Sequence, residues 1–99
     1  MALLQLTVIP LGTATPSVGD HVAAIQKTLA AAGVPFQLND MGTIIEGEAA
    51  DLLALAAKLH EVPFAHNAQR VMTQITLDDR RDKKVSIGDK CKAINDRLS

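Results

Sequence analysis

The chain has 99 residues and a mass of 10.5 kDa, so we expect a single domain spanning residues 1–99. Hydrophobic residues make up 47% and charged residues 21%, which is typical of a globular protein and argues against disorder. Ten Lys and Arg against 11 Asp and Glu give a net charge of −1. This balance argues against a nucleic-acid partner, because binding a phosphate backbone requires a basic surface.

Cysteine and histidine usage narrows the chemistry further. The only cysteine, Cys91, excludes an internal disulfide and a cysteine-based zinc site. His21, His60 and His66 show no metal-ligand spacing, so we expect no metal and no cofactor. No run of 18 apolar residues and no charged-then-apolar leader is present. We therefore expect a soluble, cytoplasmic protein with no membrane partner.

The first two elements are well signalled. Apolar and polar residues alternate over 3–9, which predicts a strand that ends at Pro10 and Gly12. Ser17 is a candidate N-cap for a following helix, and Gly33 stands where such a helix ends. The predicted apolar stripe of this helix consists of Val18, Val22, Ile25 and Leu29.

A hairpin and a second helix come next. Residues 36–38 alternate as a short strand, the turn residues 39–42 follow, and 43–46 predict a third strand. An Ala/Leu-rich segment from Glu48 to about His60 predicts a helix, which Pro63 is expected to end.

The chain closes with a strand and a third helix. Residues 71–77 alternate as a fourth strand, and Ser86 with Asp89 forms a Ser-x-x-Asp capping pattern. The stripe of the last helix consists of Ile87, Cys91, Ile94 and Leu98. On this stripe Cys91 is expected to be a buried, inert thiol and not a nucleophile.

The element order βαββαβ plus one helix predicts an α+β, ferredoxin-like antiparallel sheet in strand order 4-1-3-2, with an additional C-terminal helix. Both core helices would cover one sheet face. The other face would carry Gln5, Thr7, Gln37 and Met72 with one of Ile44 and Ile45. Such a mixed face can be solvated or pair with a copy of itself, and the extra helix needs a surface in its own subunit or in a neighbour. We therefore favour an oligomer.

This topology brings three polar segments to one rim of the sheet: 12–13, 17–18 and 41–43. Glycines allow close backbone approach, hydroxyls donate and accept hydrogen bonds, and a helix N-terminus offers free N–H groups. A polar small-molecule pocket could form there. The alternative is that these glycines and the serine serve only turns and a cap.

Glu46 ends the third predicted strand and lies at the end of the sheet opposite Thr43. If Ile45 faces away from the helices, Glu46 becomes partly buried beneath them and requires a helix N-terminus, an arginine or a ligand cation. The alternative is a solvated carboxylate or a cap for the second helix. Neither sheet face is excluded by the sequence.

Three segments together resemble the small thiamine-binding protein family, long catalogued as a domain of unknown function. They are 8–13 (VIPLGT), 41–47 (MGTIIEG) and 78–83 (DDRRDK), and the resemblance covers residues 4–97. Larger relatives in this family carry two tandem copies of the domain. The resemblance implies a ferredoxin-like subunit that forms homodimers through its sheet faces and often homotetramers.

The resemblance also implies binding of thiamine or its hydroxymethylpyrimidine part without catalysis. Carried over to this sequence, the ligand-binding residues are Thr13, Ser17, Gly42, Thr43 and Glu46. A carrier, buffer or sensor role follows from this as the leading hypothesis. The alternative is a regulatory module that docks on a protein partner through its sheet face or last helix. An enzyme acting on a thiamine precursor is disfavoured, because no paired acid/base or nucleophile pattern is present.

Overall fold

The computed structural model describes residues 1–12 and 19–99. Its elements in chain order are β1 (Ala2–Leu11), α1 (Gly19–Ala32), β2 (Phe36–Asn39), β3 (Gly42–Gly47), α2 (Ala49–Ala65), β4 (Arg70–Asp79) and α3 (Asp89–Leu98). The strands form one antiparallel sheet in the order β2-β3-β1-β4, which is 4-1-3-2 from the other edge. The predicted ferredoxin-like α+β fold with an additional C-terminal helix is confirmed.

The strand register decides which side chains lie under the helices. Leu4 is paired with Ile45, and Leu6 with Thr43, and all four are buried beneath the helices. Because side chains alternate along a strand, their neighbours point to the other side, called the open face below. The open face carries Leu3, Gln5, Thr7 and Ile9 of β1, Gln37 of β2, Ile44 and Glu46 of β3, and Arg70, Met72, Gln74, Thr76 and Asp78 of β4. Ile45 therefore belongs to the core and Ile44 to the open face.

The core lies between the sheet and the first two helices. It consists of Ala2, Leu4, Leu6, Ile25, Leu29, Ile45, Leu52, Ala56 and Leu59. Burying each large aliphatic side chain contributes about 1.5–3 kcal/mol, so these residues hold both helices on the sheet. Gly33 ends α1 with a φ of 73°, as predicted, in the left-handed conformation that glycine adopts without strain.

Two prolines lie inside elements that they were expected to end, so both predicted boundaries are wrong. β1 runs through Pro10, which is paired with Val71 of β4. Pairing with β3 stops at Leu6, so the missing N–H of Pro10 costs no bond to that strand. α2 runs through Pro63 to Ala65, because Pro63 is buried in the core and sits in the last turn, where few backbone bonds remain to be broken.

The last helix starts later than predicted and packs less. α3 begins at Asp89 after Gly88, whose φ is 93°, and the Asp89 carboxylate accepts a hydrogen bond from the Ser86 N–H at 2.9 Å. All ten residues of α3 are exposed, Cys91 among them. The prediction of a buried Cys91 is therefore wrong for the single chain, since none of the residues that the structure describes covers this stripe.

Candidate functional site

A cavity of about 330 Å³ lies where α1, the outer half of β1 and the β2–β3 hairpin meet. It exists because the two strands reach different lengths at this end of the sheet. β3 begins only at Gly42, whereas β1 continues to Leu11. The lining residues are Leu6, Thr7, Val8, Ile9, Pro10, Val22, Ile25, Gln26, Leu38, Asn39, Asp40, Met41, Gly42 and Thr43. The predicted meeting of the end of the first strand with the hairpin turn is confirmed for the described residues.

The wall beneath α1 combines apolar surface with one polar pair. Leu6, Val22 and Ile25 supply the apolar part. Thr43, only 6% exposed, accepts a hydrogen bond at its Oγ1 from Gln26 Nε2 at 3.2 Å. The Thr43 hydroxyl keeps its own proton for donation, and the Gln26 amide both donates and accepts. The pair is therefore able to hold a planar ligand edge with alternating donors and acceptors.

The hairpin is drawn tightly against β1 at Gly42. Thr7 Oγ1 donates a hydrogen bond to the Met41 carbonyl at 2.9 Å. A Cβ at position 42 would lie 2.9 Å from Thr7 Oγ1 and 3.1 Å from the Leu6 carbonyl oxygen. Such contacts are too close for a side chain, so glycine is required here by packing. Gly42 therefore has a structural role in the hairpin turn, in addition to lining the cavity.

Part of the backbone of β1 faces the cavity without a neighbouring strand. β3 pairs with β1 only from Ala2–Gly47 to Leu6–Thr43, whereas β4 pairs with β1 as far as Leu11. Alternate residues of β1 beyond Leu6 therefore direct backbone groups to a side on which the described chain supplies no strand. Backbone N–H and C=O groups are strong hydrogen-bonding groups that a ligand can use.

The mouth of the cavity is polar and carries negative charge. Asn39, the last residue of β2, and Asp40, in the turn that follows, are both exposed and line the cavity. Met41 follows with 84% of its surface exposed, so a large apolar side chain stands at the entrance. An aromatic ligand with a positive charge could contact the thioether and the Asp40 carboxylate together.

Glu46 lies away from this cavity. It points to the open face at the opposite end of β3, the end expected from topology. Its Oε1 accepts a hydrogen bond from the Ile87 backbone N–H at 2.8 Å, just before α3. The condition for burial of Glu46 beneath the helices does not hold, because Ile45 faces them, and its partner is a backbone N–H two residues before α3. In this structure Glu46 therefore fastens the segment that leads into α3.

The predicted site residues are thus distributed unevenly. Gly42 and Thr43 line the cavity, Glu46 does not, and Thr13 and Ser17 lie outside the described residues. Sequence reasoning missed Gln26. Its signal was available, since a polar residue at i+4 from Val22 interrupts the apolar stripe of α1.

The charged segment after β4 forms exposed pairs. Arg81 donates to Asp79 at 2.9 Å and holds the pKa of that carboxyl below its usual value, chiefly through this hydrogen bond. Arg80 donates to Asp82 at 2.8 Å and lowers the pKa of Asp82 in the same way. Ion pairs of this kind, open to water, fit a solvated strand extension.

Two features are absent from the described part of the chain. No group of three or more His, Cys, Asp and Glu side chains is placed to hold a metal ion. None of the helices there is long and apolar enough to cross a membrane.

Comparison with known proteins relates the chain to others over nearly its full length. The family model described as thiamine-binding protein matches residues 4–95. The UPF0045 protein YqgV of Bacillus subtilis is 45% identical over 99% of this chain and 98% of its own. The solved structure of protein MJ1052 from Methanocaldococcus jannaschii is 28% identical, with a TM-score of 0.83 over 95% of both chains. A Thermotoga maritima protein proposed to act in thiamine biosynthesis or salvage shares the fold, with a TM-score of 0.77 over 94% of this chain and 97% of its own and 15% identity.

Proposed function

Because the chain belongs to the thiamine-binding protein family, we propose that it binds thiamine or its hydroxymethylpyrimidine part, without catalysis, in the cavity between α1, β1 and the hairpin. The observation that carries the proposal is the partly buried Gln26–Thr43 pair beside the unpaired backbone of β1. At about 330 Å³ the cavity is at the small end of ligand pockets, which suits one or two small rings.

The chemistry of the ligand matches these groups. An aminopyrimidine offers two ring acceptors and an amino donor. The Thr43 hydroxyl, the Gln26 amide and the backbone of β1 supply both kinds of partner. Apolar residues above and below the ring replace the aromatic platform that this chain lacks, and Asp40 complements the fixed positive charge of the thiazolium.

A binding role without turnover is supported by the character of the lining. Its described part contains one ionisable side chain, Asp40, whereas acid–base catalysis uses positioned donors and acceptors of matched pKa. We further propose that the protein acts in the cytoplasm as a homo-oligomeric carrier, buffer or sensor. The open face supports self-association, because its central part carries only neutral polar and apolar side chains.

The test is isothermal titration calorimetry of the protein with thiamine, hydroxymethylpyrimidine and thiamine diphosphate in parallel. We expect saturable binding at micromolar or better affinity, with one ligand preferred. Thr43→Val and Gln26→Leu each remove a hydrogen-bonding group that the bound ligand would cover, and each should weaken binding about 5–150-fold, since losing such a group costs about 1–3 kcal/mol.

Thr28→Val is the matched control. Thr28 lies on α1 but bonds to the Ala24 carbonyl within its own helix and is outside the cavity lining. Affinity should therefore be unchanged. Unaltered affinity in both Thr43→Val and Gln26→Leu would refute this site, and no heat with any ligand from folded protein would refute the proposed function.

The alternative role, docking on a different protein, draws on the exposed Met72 of the open face and on α3. Met72→Glu discriminates between the two. Under the alternative it abolishes a complex with another protein and leaves ligand affinity unchanged, whereas under the proposed function no such complex exists.

A further inference from the structure

The backbone groups that β1 directs toward the cavity belong to particular residues, and one hydrogen bond identifies them. In an antiparallel sheet the N–H and C=O of one residue point to the same side of the strand, and those of the next residue point to the other side. The Glu46 N–H donates to the Pro35 carbonyl at 3.1 Å. Because Pro35 leads into β2, Glu46 directs its backbone groups toward β2 and away from β1.

The same alternation continues from β3 into β1. Ile45 and Thr43 direct their backbone groups to β1, so their partners Leu4 and Leu6 direct theirs to β3. Val8 has the same orientation two residues further on, where no residue of β3 is paired with β1. Its N–H and C=O therefore both point to the cavity, which Val8 lines. The described residues supply no hydrogen-bond partner for them.

Pro10 gives an independent check of this assignment. It is two residues beyond Val8, so its nitrogen also faces the cavity side, on which the described chain has no neighbouring strand. In the opposite orientation its missing N–H would break a bond of the ladder with β4, where Pro10 is paired with Val71. A proline at a strand edge also discourages the addition of another strand. The groups of Val8 thus remain available to a small ligand.

The surroundings of Val8 fix the position of these two groups. Its side chain lies on the helix-covered side of the sheet and packs against the core. Thr7 and Ile9, on either side of it, are paired with β4. The backbone at Val8 is therefore held by the core and by one neighbouring strand. A ligand meets a donor and an acceptor whose positions are already set, which lowers the entropic cost of binding.

A donor beside an acceptor on one strand edge matches one class of ligand. In a 4-aminopyrimidine an amino group, which donates, stands beside a ring nitrogen, which accepts. A 4-oxopyrimidine reverses both, because it presents a carbonyl oxygen beside a ring N–H. Resting on the binding function proposed above, we propose that Val8 determines specificity: its N–H donates to the ring nitrogen and its C=O accepts from the amino group, so the cavity takes 4-aminopyrimidines and rejects 4-oxopyrimidines.

The Gln26–Thr43 pair is less suited to this distinction. A side-chain amide carries both donors and an acceptor, and a hydroxyl donates and accepts, so each can reorient toward an amino or an oxo group. The groups of Val8 belong to the backbone of a paired strand and lack this freedom. A 4-oxopyrimidine would place acceptor against acceptor and donor against donor. A site built for one hydrogen-bonding pattern rejects the analogue that lacks it.

The first test compares thiamine with oxythiamine, the analogue in which an oxo group replaces the amino group, by isothermal titration calorimetry. We expect oxythiamine to bind about tenfold more weakly or worse, because it leaves donors and acceptors unpaired in the cavity. The ratio of the two affinities should persist in Gln26→Leu and Thr43→Val, although both variants bind each ligand more weakly. A ratio that falls to one in Gln26→Leu would assign the distinction to that side chain and overturn the proposal.

The second test changes the Val8 backbone alone. Chemical synthesis of the chain with an ester in place of the Val8 amide replaces this N–H by an oxygen and keeps the side chain. Thiamine affinity should fall about tenfold. Oxythiamine affinity should hold or rise, because the ester removes the donor that faces its ring N–H. Opposite responses of two ligands in one folded protein exclude a general loss of structure as the cause.

Amide chemical shifts provide a third measurement, with controls in the same strand. The Val8 amide proton should move downfield when thiamine binds, since it gains an acceptor. The amide protons of Thr7 and Ile9 point to β4 and should move little. A Val8 amide that moves no more than these two in saturated protein would contradict the assignment.

The outcomes separate this proposal from the binding function on which it rests. No heat with thiamine from folded protein would overturn both. Thiamine binding with equal affinity for oxythiamine would overturn the role of Val8 and leave the binding function intact. The same conclusion would follow if the ester weakened both ligands alike.

Discussion

The helix-covered side of the sheet and the C-terminal segment 80–99 use similar sequence patterns to different ends. α1 carries an apolar stripe that is buried against the sheet at Ile25 and Leu29. α3 carries a stripe of the same spacing, yet none of its residues is buried. An amphipathic pattern predicts that a helix will pack, but it does not say against which chain. The difference between the regions shows that the same pattern builds the core in α1 and remains exposed in α3.

The largest expected effect on stability comes from creating a cavity in the core, on the helix-covered side of the sheet. Leu59→Ala should lower the free energy of unfolding by about 2–5 kcal/mol, because Leu59 is fully buried and its loss leaves a cavity. Leu98→Ala should leave it unchanged in the single chain, since Leu98 is mostly exposed. Urea denaturation followed by circular dichroism measures both. Equal losses would contradict the contrast between the two regions.

Gly42→Ala should have the next largest effect. The added methyl group meets Thr7 Oγ1 and the Leu6 carbonyl, so we expect about 1–3 kcal/mol of destabilisation together with weaker ligand binding. Adding Thr7→Ala removes the nearest of these obstacles, and the double variant should be more stable than the sum of the single changes predicts. Denaturation and calorimetry on all three variants provide the test. Strict additivity would show that the two residues do not meet.

Glu46→Ala should have a smaller, local effect. It removes the acceptor of the Ile87 N–H, so the carbon chemical shifts of α3 should move toward coil values while the sheet is unaffected. Glu46→Gln keeps an acceptor oxygen and should retain most of the helix. Ligand affinity should stay at the wild-type value in both variants. A loss of ligand affinity in Glu46→Gln would instead show that Glu46 contributes to ligand binding.

The smallest effect concerns the charged pairs after β4. Arg81 lowers the pKa of Asp79, so the pair stabilises the native state at neutral pH and stops doing so as the pH falls through that lowered pKa. Arg81→Gln should raise the pKa of Asp79 toward its usual value in a carbon-detected NMR titration. The pKa of Asp82, whose partner is Arg80, should not change. The urea midpoint should move only slightly, because a pair that is exposed to water contributes little to stability.

Local signals in the sequence predicted most of the fold. Alternation in the strands, Gly33 after α1 and the apolar stripe of the first helix were sufficient for the element order and, from it, the topology. The two element boundaries predicted from prolines were wrong for the same reason. Proline forbids one backbone hydrogen bond, and Pro10 and Pro63 stand where that bond is absent or dispensable. The pairing register that shows this is a tertiary property.

The candidate site was less predictable. Thr43 and Gly42 were found because topology brings the hairpin to the end of β1. Glu46 belongs to the same sequence motif, yet three residues along a strand move a side chain to the other face and about 10 Å away. Its partner, the N–H of Ile87, is 41 residues distant in the chain, so no local pattern indicates that contact.

The uneven pairing along β1 has a consequence for hydrogen exchange. Amides near Leu4 lie between two strands and should exchange only when the whole molecule unfolds. Beyond Leu6 the strand has a neighbour on one side, so amides directed to the cavity should exchange faster by local opening. A ligand seated there would slow these amides and leave those near Leu4 unchanged. One strand thus contains both the reference and the reporter for occupancy of the cavity.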